Sequence, residues 1–219
     1  MGRSERGIVF TNDLDGVHFR APLPIKTAIR IARRSPLPES GAKIGEYSPH
    51  GIKEVALSRV SIFMHSRRPV NRGGLEGLGL FKDAAERNQR DLKFAALSGR
   101  ESDKHKMTVD RLRKSGHMDY FTDLFLNQGA RGIPWKEFVI RGLLEEGQKV
   151  VHIDDDPRAG ICVARIDAEN VLVYLLRNLS NHPRLLKRFM GELPPNLVLV
   201  QNFRKASEDF DKRLSEGKF

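Results

Sequence analysis

Short apolar runs alternating with segments of helical periodicity are the feature that most restricts how this 219-residue chain can fold. Six runs have the composition of strands, at 8–10, 92–97, 120–127, 150–153, 171–176 and 197–200. Between and after them lie helical segments at 74–88, 103–115, 135–146, 158–164 and 184–190, and a charged one from Lys205. This alternation predicts an α/β sandwich of three layers, with helices on both faces of a mostly parallel, Rossmann-like sheet.

The composition argues against a membrane protein. The longest unbroken apolar run, residues 171–176, is far shorter than the roughly 20 residues that span a bilayer. The N-terminal residues carry charges where a signal peptide needs an apolar stretch. One cysteine, Cys162, allows neither an internal disulfide nor a multi-cysteine zinc site, and the seven histidines lack zinc-binding spacing. We therefore expect a cytoplasmic protein without a membrane partner.

Three of the predicted strands run directly into polar residues that can support chemistry. The first ends at Asp13 and Asp15, the second at Ser98, and the strand at 150–153 at Asp155 and Asp156. The carboxyl ends of parallel strands meet at one edge of a sheet, so these side chains should converge. Converging carboxylates repel one another unless they are protonated or bridged by a hard cation such as Mg²⁺, which also binds phosphate. The sequence thus predicts a magnesium-dependent phosphate site.

Four motifs in this order resemble those of the haloacid dehalogenase superfamily. They are DLDGV at 13–17, LSGR at 97–100, a lysine at the start of a helix, and VVHIDDDP at 150–157. The resemblance covers about residues 7–165 and implies a Mg²⁺-dependent phosphatase that works through an aspartyl-phosphate. Dehalogenases proper keep a different residue where this chain has Asp15, which favours phosphate chemistry.

The resemblance also implies roles for individual residues. Asp13 would be the nucleophile, and Asp15 would protonate the leaving oxygen and then activate water. Ser98 would hydrogen-bond the transferring phosphoryl group. The resemblance places Gly16, Gly99 and Arg100 beside the substrate, although Arg100 is equally well read as a solvated arginine. It also implies that Mg²⁺ is held by Asp13, the Asp15 carbonyl, Asp155 and Asp156.

Three points stay open at this level. The lysine of the third motif is assigned to Lys136, with Lys104 and Lys106 as rivals. Three consecutive aspartates, 154–156, leave the register of the metal pair ambiguous, and we favour Asp155 and Asp156. Thr11 and Asn12 separate the apolar run from Asp13, so either the strand end is bulged or Asn12 lines the site.

An insertion follows the first motif. Asp15 and Ser98 lie 83 residues apart, whereas a simple strand–helix–strand crossover takes roughly 30 residues. The extra length predicts a small, mainly helical cap at 18–69 on an α/β core formed by 1–17 and 70–219. Residues 18–72 carry eleven lysines and arginines against three glutamates, which is most of the chain's net charge of +10. Basic residues of the cap are expected to attract a polyanionic substrate, among them Arg20, Lys26, Arg30, Arg33 and Arg34.

Several function classes remain in competition. The leading one is a phosphatase acting on a small anionic phosphorylated metabolite or nucleotide. A phosphotransferase differs only in the acceptor, and the sequence does not separate the two. The alternative class is a basic protein that binds or processes nucleic acid on the same scaffold; a partner of this kind is not favoured, because a binder needs neither Asp15 nor a lysine. The oligomeric state is left open.

Several conspicuous residues are interpreted as structural. His18 and His152 are expected to be buried histidines that satisfy their hydrogen bonds, and Cys162 to be a packing residue. The glycine-rich stretch 73–79 lacks the lysine and hydroxyl residue of a phosphate-binding loop. It is interpreted as a helix entry that allows close packing.

Overall fold

Six parallel strands form one sheet in the computed structural model, which describes residues 7–19, 70–128, 132–177 and 192–219. The strands are β1 (Ile8–Asp13), β2 (Leu92–Glu101), β3 (Phe121–Asn127), β4 (Lys149–Asp154), β5 (Val171–Leu176) and β6 (Leu197–Val200). Their spatial order is β3-β2-β1-β4-β5-β6, and every neighbouring pair is parallel. The predicted parallel, Rossmann-like sheet is confirmed.

Helices cover both faces of this sheet. They are α1 (Arg72–Arg87), α2 (His105–Lys114), α3 (Gly132–Glu145), α4 (Pro157–Ala164) and α5 (Phe203–Ser215), with short 3₁₀ turns at Ser102–Lys104 and His117–Asp119. One apolar cluster joins the sheet to α1, α2 and α5, and a second joins its other face to α3 and α4. The three-layer architecture is therefore confirmed as well.

The position of β1 determines where a site can form. β1 is buried along its whole length and pairs with β2 on one side and β4 on the other. The strand order reverses direction at β1, because β2 and β3 extend the sheet one way and β4 to β6 the other. Ligands of open α/β sheets bind outside the carboxyl ends of the strands at such a switch point. Asp13, the last residue of β1, lies there.

Some element ends differ from those predicted. β1 does not bulge: residues 8–13 pair one for one with 92–97, so Thr11 and Asn12 belong to the strand. β2 continues to Glu101 instead of ending at Leu97, with an irregular register between Ser98 and Glu101. α3 begins at Gly132, three residues before the first apolar position of its helical pattern.

Most of the predicted insertion lies outside the described residues. This applies to residues 20–69, including the five basic residues proposed to attract substrate, and also to the helix predicted at 184–190. His18 and Phe19, the first two residues assigned to the insertion, are fully buried in the α/β core. Phe19 forms a β-bridge with Val70, and the Asn71 N–H donates to the His18 carbonyl at 2.7 Å. The core thus includes the root of the insertion.

Within the described segments, no helix combines the length and the apolar character needed to cross a membrane.

Candidate functional site

Three carboxylates meet where β1 and β4 end. Asp13 is the last residue of β1, Asp154 is the last residue of β4, and Asp155 follows it. One oxygen from each lies within 4.8 Å of the other two. Asp13 and Asp154 are buried and Asp155 is half-buried. The convergence expected of parallel strand ends is present, with Asp154 as a member that the sequence reasoning did not select.

Lys136 supplies the positive charge of this cluster. Its Nζ donates to Asp13 Oδ1 at 2.8 Å and to Asp154 Oδ2 at 2.7 Å from the buried inner side of α3. Burial alone lowers the pKa of a lysine, but the two carboxylates outweigh burial and raise the pKa of Lys136 above its ordinary value. Lys136 is therefore protonated and bridges two neighbouring strands. Of its rivals, Lys104 lies 3.8 Å from Asp103, and Lys106 is exposed.

A buried histidine orients Asp154. His152 is two residues upstream on β4, and its Nε2 lies 3.1 Å from Asp154 Oδ2. Burial lowers the pKa of His152, so the ring is neutral. A carboxylate oxygen only accepts, so Nε2 carries the proton and Nδ1 accepts from the Thr11 hydroxyl at 2.9 Å. His152 is buried as expected, but it also positions a site carboxylate, which the sequence did not indicate.

Charge balance tests whether the cluster suits Mg²⁺. Three carboxylates face one lysine, because His152 is neutral, which leaves two negative charges in excess. Burial, together with the nearby carboxylates, raises the pKa of Asp13 well above its ordinary value despite Lys136. A divalent cation would neutralise the excess and hold Asp13 ionised, and oxygen ligands are those that Mg²⁺ prefers. The residues present therefore fit Mg²⁺, with Asp13, Asp154 and Asp155 as the side chains that would hold it.

Of the three consecutive aspartates, Asp154 and Asp155 belong to the carboxylate cluster, whereas the metal pair that the sequence analysis favours is Asp155 and Asp156. Asp156, assigned to the metal, instead caps the N-terminus of α4, where its Oδ1 accepts from the Arg158 N–H at 3.0 Å. Its other oxygen lies 3.1 Å from the Arg158 guanidinium. An N-cap residue must direct its side chain back toward the first helical turn. Asp156 is thus engaged by the helix, and Asp154 takes its place beside Asp13 and Asp155.

Asp15 is held by Arg100. The guanidinium donates to both carboxylate oxygens, at 2.6 and 3.0 Å, and the Arg100 side chain is only 1% exposed. A further donor reaches the Thr108 hydroxyl at 3.4 Å, and the Phe19 ring lies 5.2 Å from the guanidinium carbon. The reading of Arg100 as a solvated arginine is wrong. Its two-pronged contact fixes the orientation of Asp15.

Position 16 requires a glycine for two reasons, its backbone conformation and the closeness of a neighbouring side chain. Its φ of +97° lies in the left-handed region that favours glycine. A Cβ at this position would overlap the carboxylate of Asp155. The turn after β1 therefore lets Asp155 approach the backbone of the first motif, which joins the first and fourth motifs physically.

Ser98 lies next to this cluster along β2. Its neighbour Leu97 pairs with Asp13, so Ser98 is one residue beyond the end of β1. It is buried, and its Oγ accepts from the Arg100 N–H at 3.2 Å. The Gly99 carbonyl accepts from Asn127 at 3.4 Å. The second motif thus follows the end of β1 in the neighbouring strand, and its strand register is irregular at these residues.

Asn12 takes part in a separate buried network. Its Oδ1 lies 3.2 Å from His18 Nε2, and its Nδ2 donates to the Phe10 carbonyl. His18 Nδ1 in turn lies 3.0 Å from His117 Nε2. His18 is a buried, satisfied histidine, as predicted, and Asn12 serves this network inside the core.

Two further structural interpretations are confirmed. Cys162 is 7% exposed, and burial, with Glu137 next in importance, raises the pKa of its thiol to about 11. A thiol of that pKa is protonated and unreactive near neutral pH. In the glycine-rich stretch, a Cβ on Gly77 would overlap the ring of Phe203, and one on Gly74 would lie 2.7 Å from His18 Nδ1. These glycines allow close packing.

With this geometry established, comparison with solved structures identifies the fold as that of the haloacid dehalogenase-like hydrolases. One similar structure is a haloacid dehalogenase-like hydrolase from Burkholderia xenovorans, with a TM-score of 0.55, 13% identity, and coverage of 96% of this chain and 99% of that chain. Another is an archaeal β-phosphoglucomutase from a hyperthermophilic Pyrococcus, with a TM-score of 0.55, 14% identity and the same coverage. At this identity the likeness establishes the fold alone.

No protein-family model and no curated protein sequence matches the chain.

Proposed function

We propose that this protein is a Mg²⁺-dependent phosphatase that acts through an aspartyl-phosphate on a small anionic phosphorylated compound. The observation that carries the proposal is the bridge from Lys136 to Asp13 and Asp154, with Asp155 in the same cluster. A carboxylate held by a lysine at the sheet's switch point can attack phosphorus. The haloacid dehalogenase-like fold, shared with hydrolases, supports the same reaction.

The first half of the proposed reaction makes the covalent intermediate. An Asp13 oxygen attacks phosphorus, the bond from phosphorus to the ester oxygen breaks, and Asp15 gives a proton to the departing oxygen. Lys136 offsets charge on Asp13 and on the phosphoryl group, and Ser98 contributes a hydroxyl on the β2 side. Bound Mg²⁺ would supply further neutralisation of the phosphoryl oxygens, which is the main requirement of phosphoryl transfer.

The second half releases phosphate. Asp15 takes a proton from a water molecule that attacks the aspartyl-phosphate, and Asp13 is regenerated. Arg100 fixes both oxygens of Asp15 and so restricts the directions from which Asp15 can exchange protons. A phosphotransferase would use the same residues with a second hydroxyl in place of water.

The proposal is tested by measuring phosphate release from a panel of phosphate monoesters with Mg²⁺ and with EDTA. We expect activity with Mg²⁺, its loss in EDTA, and its recovery when Mg²⁺ is restored. Asp13→Asn should lower kcat by at least about a thousandfold, because an amide oxygen is a poor nucleophile. The matched control is Asp83→Asn on the exposed side of α1, which should retain full activity.

Two results would count against this function. Activity that survives Asp13→Asn would exclude the proposed nucleophile. Absence of turnover on every ester would exclude the phosphatase and favour the nucleic-acid-binding alternative. Including an alcohol acceptor and measuring the transferred phosphate separately from free phosphate distinguishes a hydrolase from a phosphotransferase.

A further inference from the structure

A cleft of about 620 Å³ extends from the candidate site toward the outer edge of the sheet. Gly16 and Asp155 line it at one end, and Arg177, Asn202 and Arg204 line it elsewhere. It is open to solvent on the side of the sheet covered by α1 and α5. Asp155 of the carboxylate cluster thus borders the same space as these arginines.

The strand order gives the dimension of this space. Asp155 follows β4, Arg177 follows β5, and Asn202 lies two residues beyond β6. These three strands are consecutive neighbours in the sheet. Adjacent strands lie about 4.8 Å apart, so the cleft spans roughly 10 Å from the end of β4 to the end of β6.

The two arginines line the part of the cleft beside β5 and β6. The Arg177 N–H donates to the Val200 carbonyl at 2.7 Å, which fixes the Arg177 backbone beside the last residue of β6. Arg204 is in the first turn of α5, which begins three residues after Val200. Both side chains are exposed, whereas the nearby Phe203 is buried. Positive charge therefore lies one to two strand spacings, about 5–10 Å, from the end of β4.

One acidic side chain lines the intervening wall. Glu76 is exposed on α1, one residue before Gly77, whose missing Cβ makes room for Phe203. A carboxylate at this place repels an anion in the cleft. It offers a variant whose effect should be opposite to that of removing an arginine.

We propose that Arg177 and Arg204 form a subsite for a second phosphate group, so that the substrate is a small bisphosphate. This proposal rests on the proposed function, because it takes the carboxylate cluster as the place where the first phosphoryl group reacts. Guanidinium groups match phosphate with paired N–H donors, and two of them balance its two negative charges. A monophosphate would fill only the end of the cleft near Asp155.

The test uses α,ω-alkanediol bisphosphates, from ethanediol to octanediol, beside alkyl monophosphates of matched chain length. We expect kcat/KM for a bisphosphate to exceed that of its monophosphate by at least about tenfold once the chain spans the cleft. Shorter bisphosphates should show no advantage. Arg177→Gln and Arg204→Gln should each reduce the advantage about tenfold and leave monophosphate turnover unchanged, because each removes one charged hydrogen-bond donor group.

Two further variants control for net charge. Arg141→Gln removes an exposed arginine from α3, on the opposite face of the sheet, and should preserve the advantage of bisphosphates. Glu76→Gln should increase that advantage. An effect of Arg141→Gln as large as that of Arg177→Gln would show that bulk charge, rather than a subsite, attracts the second phosphate.

Binding measurements separate failure of the subsite from failure of the proposed function. Calorimetry with Asp13→Asn protein should show a bisphosphate binding at least about tenfold more tightly than its monophosphate, with the preference lost in Arg177→Gln. No turnover of any compound would overturn the phosphatase, and the subsite would then be judged by this binding preference. Turnover without bisphosphate preference, or a preference unaffected by both arginine variants, would overturn the subsite alone.

Discussion

At the scale of single residues, the site is organised by how each aspartate is held. Asp13 and Asp154 both form ion pairs with Lys136, and Asp15 forms one with Arg100. Asp156 caps α4. Asp155 lies against the backbone at Gly16. Similar carboxylates therefore have different tasks, and their contacts, rather than their order in the chain, assign those tasks.

This assignment predicts different effects for two adjacent substitutions. Asp155→Asn removes a charged ligand, so the Mg²⁺ concentration for half-maximal activity should rise by at least about tenfold. Asp156→Asn should leave it unchanged, because asparagine caps a helix about as well as aspartate. The melting temperature measured at increasing Mg²⁺ concentration should show the same difference between the two variants, since a ligand stabilises the state that binds it. A larger effect of Asp156→Asn on Mg²⁺ would restore the metal pair first favoured from the sequence.

The residue scale also shows which parts of the site the sequence could predict. Asp13 and the lysine at the start of a helix follow from ordered motifs at predicted strand and helix ends. Three identical aspartates give no such order, because their roles depend on where β4 ends and α4 begins. The dipeptide Asp156-Pro157 was the available signal, since an N-cap aspartate followed by proline at the first helical position marks a helix start. Nothing local in the sequence indicates the Arg100–Asp15 contact, which joins residues 85 apart.

At the scale of elements, the packing of α1 on α5 shapes both the core and the proposed subsite. Gly77 of α1 contacts the Phe203 ring at the start of α5, and both residues line the cleft. No side chain larger than hydrogen fits between these helices at that point. The separation of α1 and α5 therefore sets where Arg204 lies relative to the site.

Two glycine-to-alanine substitutions should accordingly change the free energy of unfolding in opposite directions. Gly77→Ala places a methyl group in the Phe203 ring and should lower the free energy of unfolding by about 1–3 kcal/mol. Gly142→Ala lies within α3 with nothing within 4 Å of its Cβ, and should raise it by about 0.5–1 kcal/mol through helix propensity. Urea unfolding monitored by circular dichroism measures both. Equal effects of the two substitutions would mean that helix propensity, not this contact, dominates at Gly77.

Element boundaries were predictable where one pattern applied without competition. Val171–Leu176 and Leu197–Val200 are strands over the predicted residues, because unbroken apolar runs of that length suit a strand buried on both faces. The end of β2 was not predictable, since the composition of Ser98, Gly99 and Arg100 is typical of a loop. Pairing with β3 beyond an irregular register carries the strand through them. Tertiary pairing thus overrode local composition at the residues that border the site.

At the scale of the whole molecule, buried histidines link stability to pH. Burial lowers the pKa of His18, His117 and His152, with repulsion between His18 and His117 adding to the effect on His18. In the unfolded chain these histidines take up protons near their ordinary pKa. In the folded protein their rings stay neutral to a lower pH. Stability should therefore fall as pH drops below about 6.5, since the unfolded state then binds more protons. Asp13 acts in the opposite sense, because its raised pKa lets the folded protein take up a proton first.

The expected loss is about 1.4 kcal/mol per pH unit for each histidine that remains neutral, less the contribution of Asp13. Urea unfolding at several pH values between about 7.5 and 5.5 measures this slope, and saturating Mg²⁺ should keep Asp13 ionised so that the histidine contribution dominates. His117→Gln should be less stable at neutral pH, because it disrupts the contacts with His18 and Ser115. The slope of its free energy of unfolding against pH should nevertheless be flatter, by the amount that corresponds to about one bound proton.

The matched control is His105→Gln, which removes an exposed histidine from the start of α2 and should keep the slope of the unaltered protein. A flatter slope in His117→Gln cannot arise from lost packing alone, because lost packing lowers stability equally at every pH. Parallel slopes for the two variants would show that His117 takes up its proton in the folded state as readily as in the unfolded state. The His18–His117 network would then tolerate a charge inside the core, at the root of the insertion.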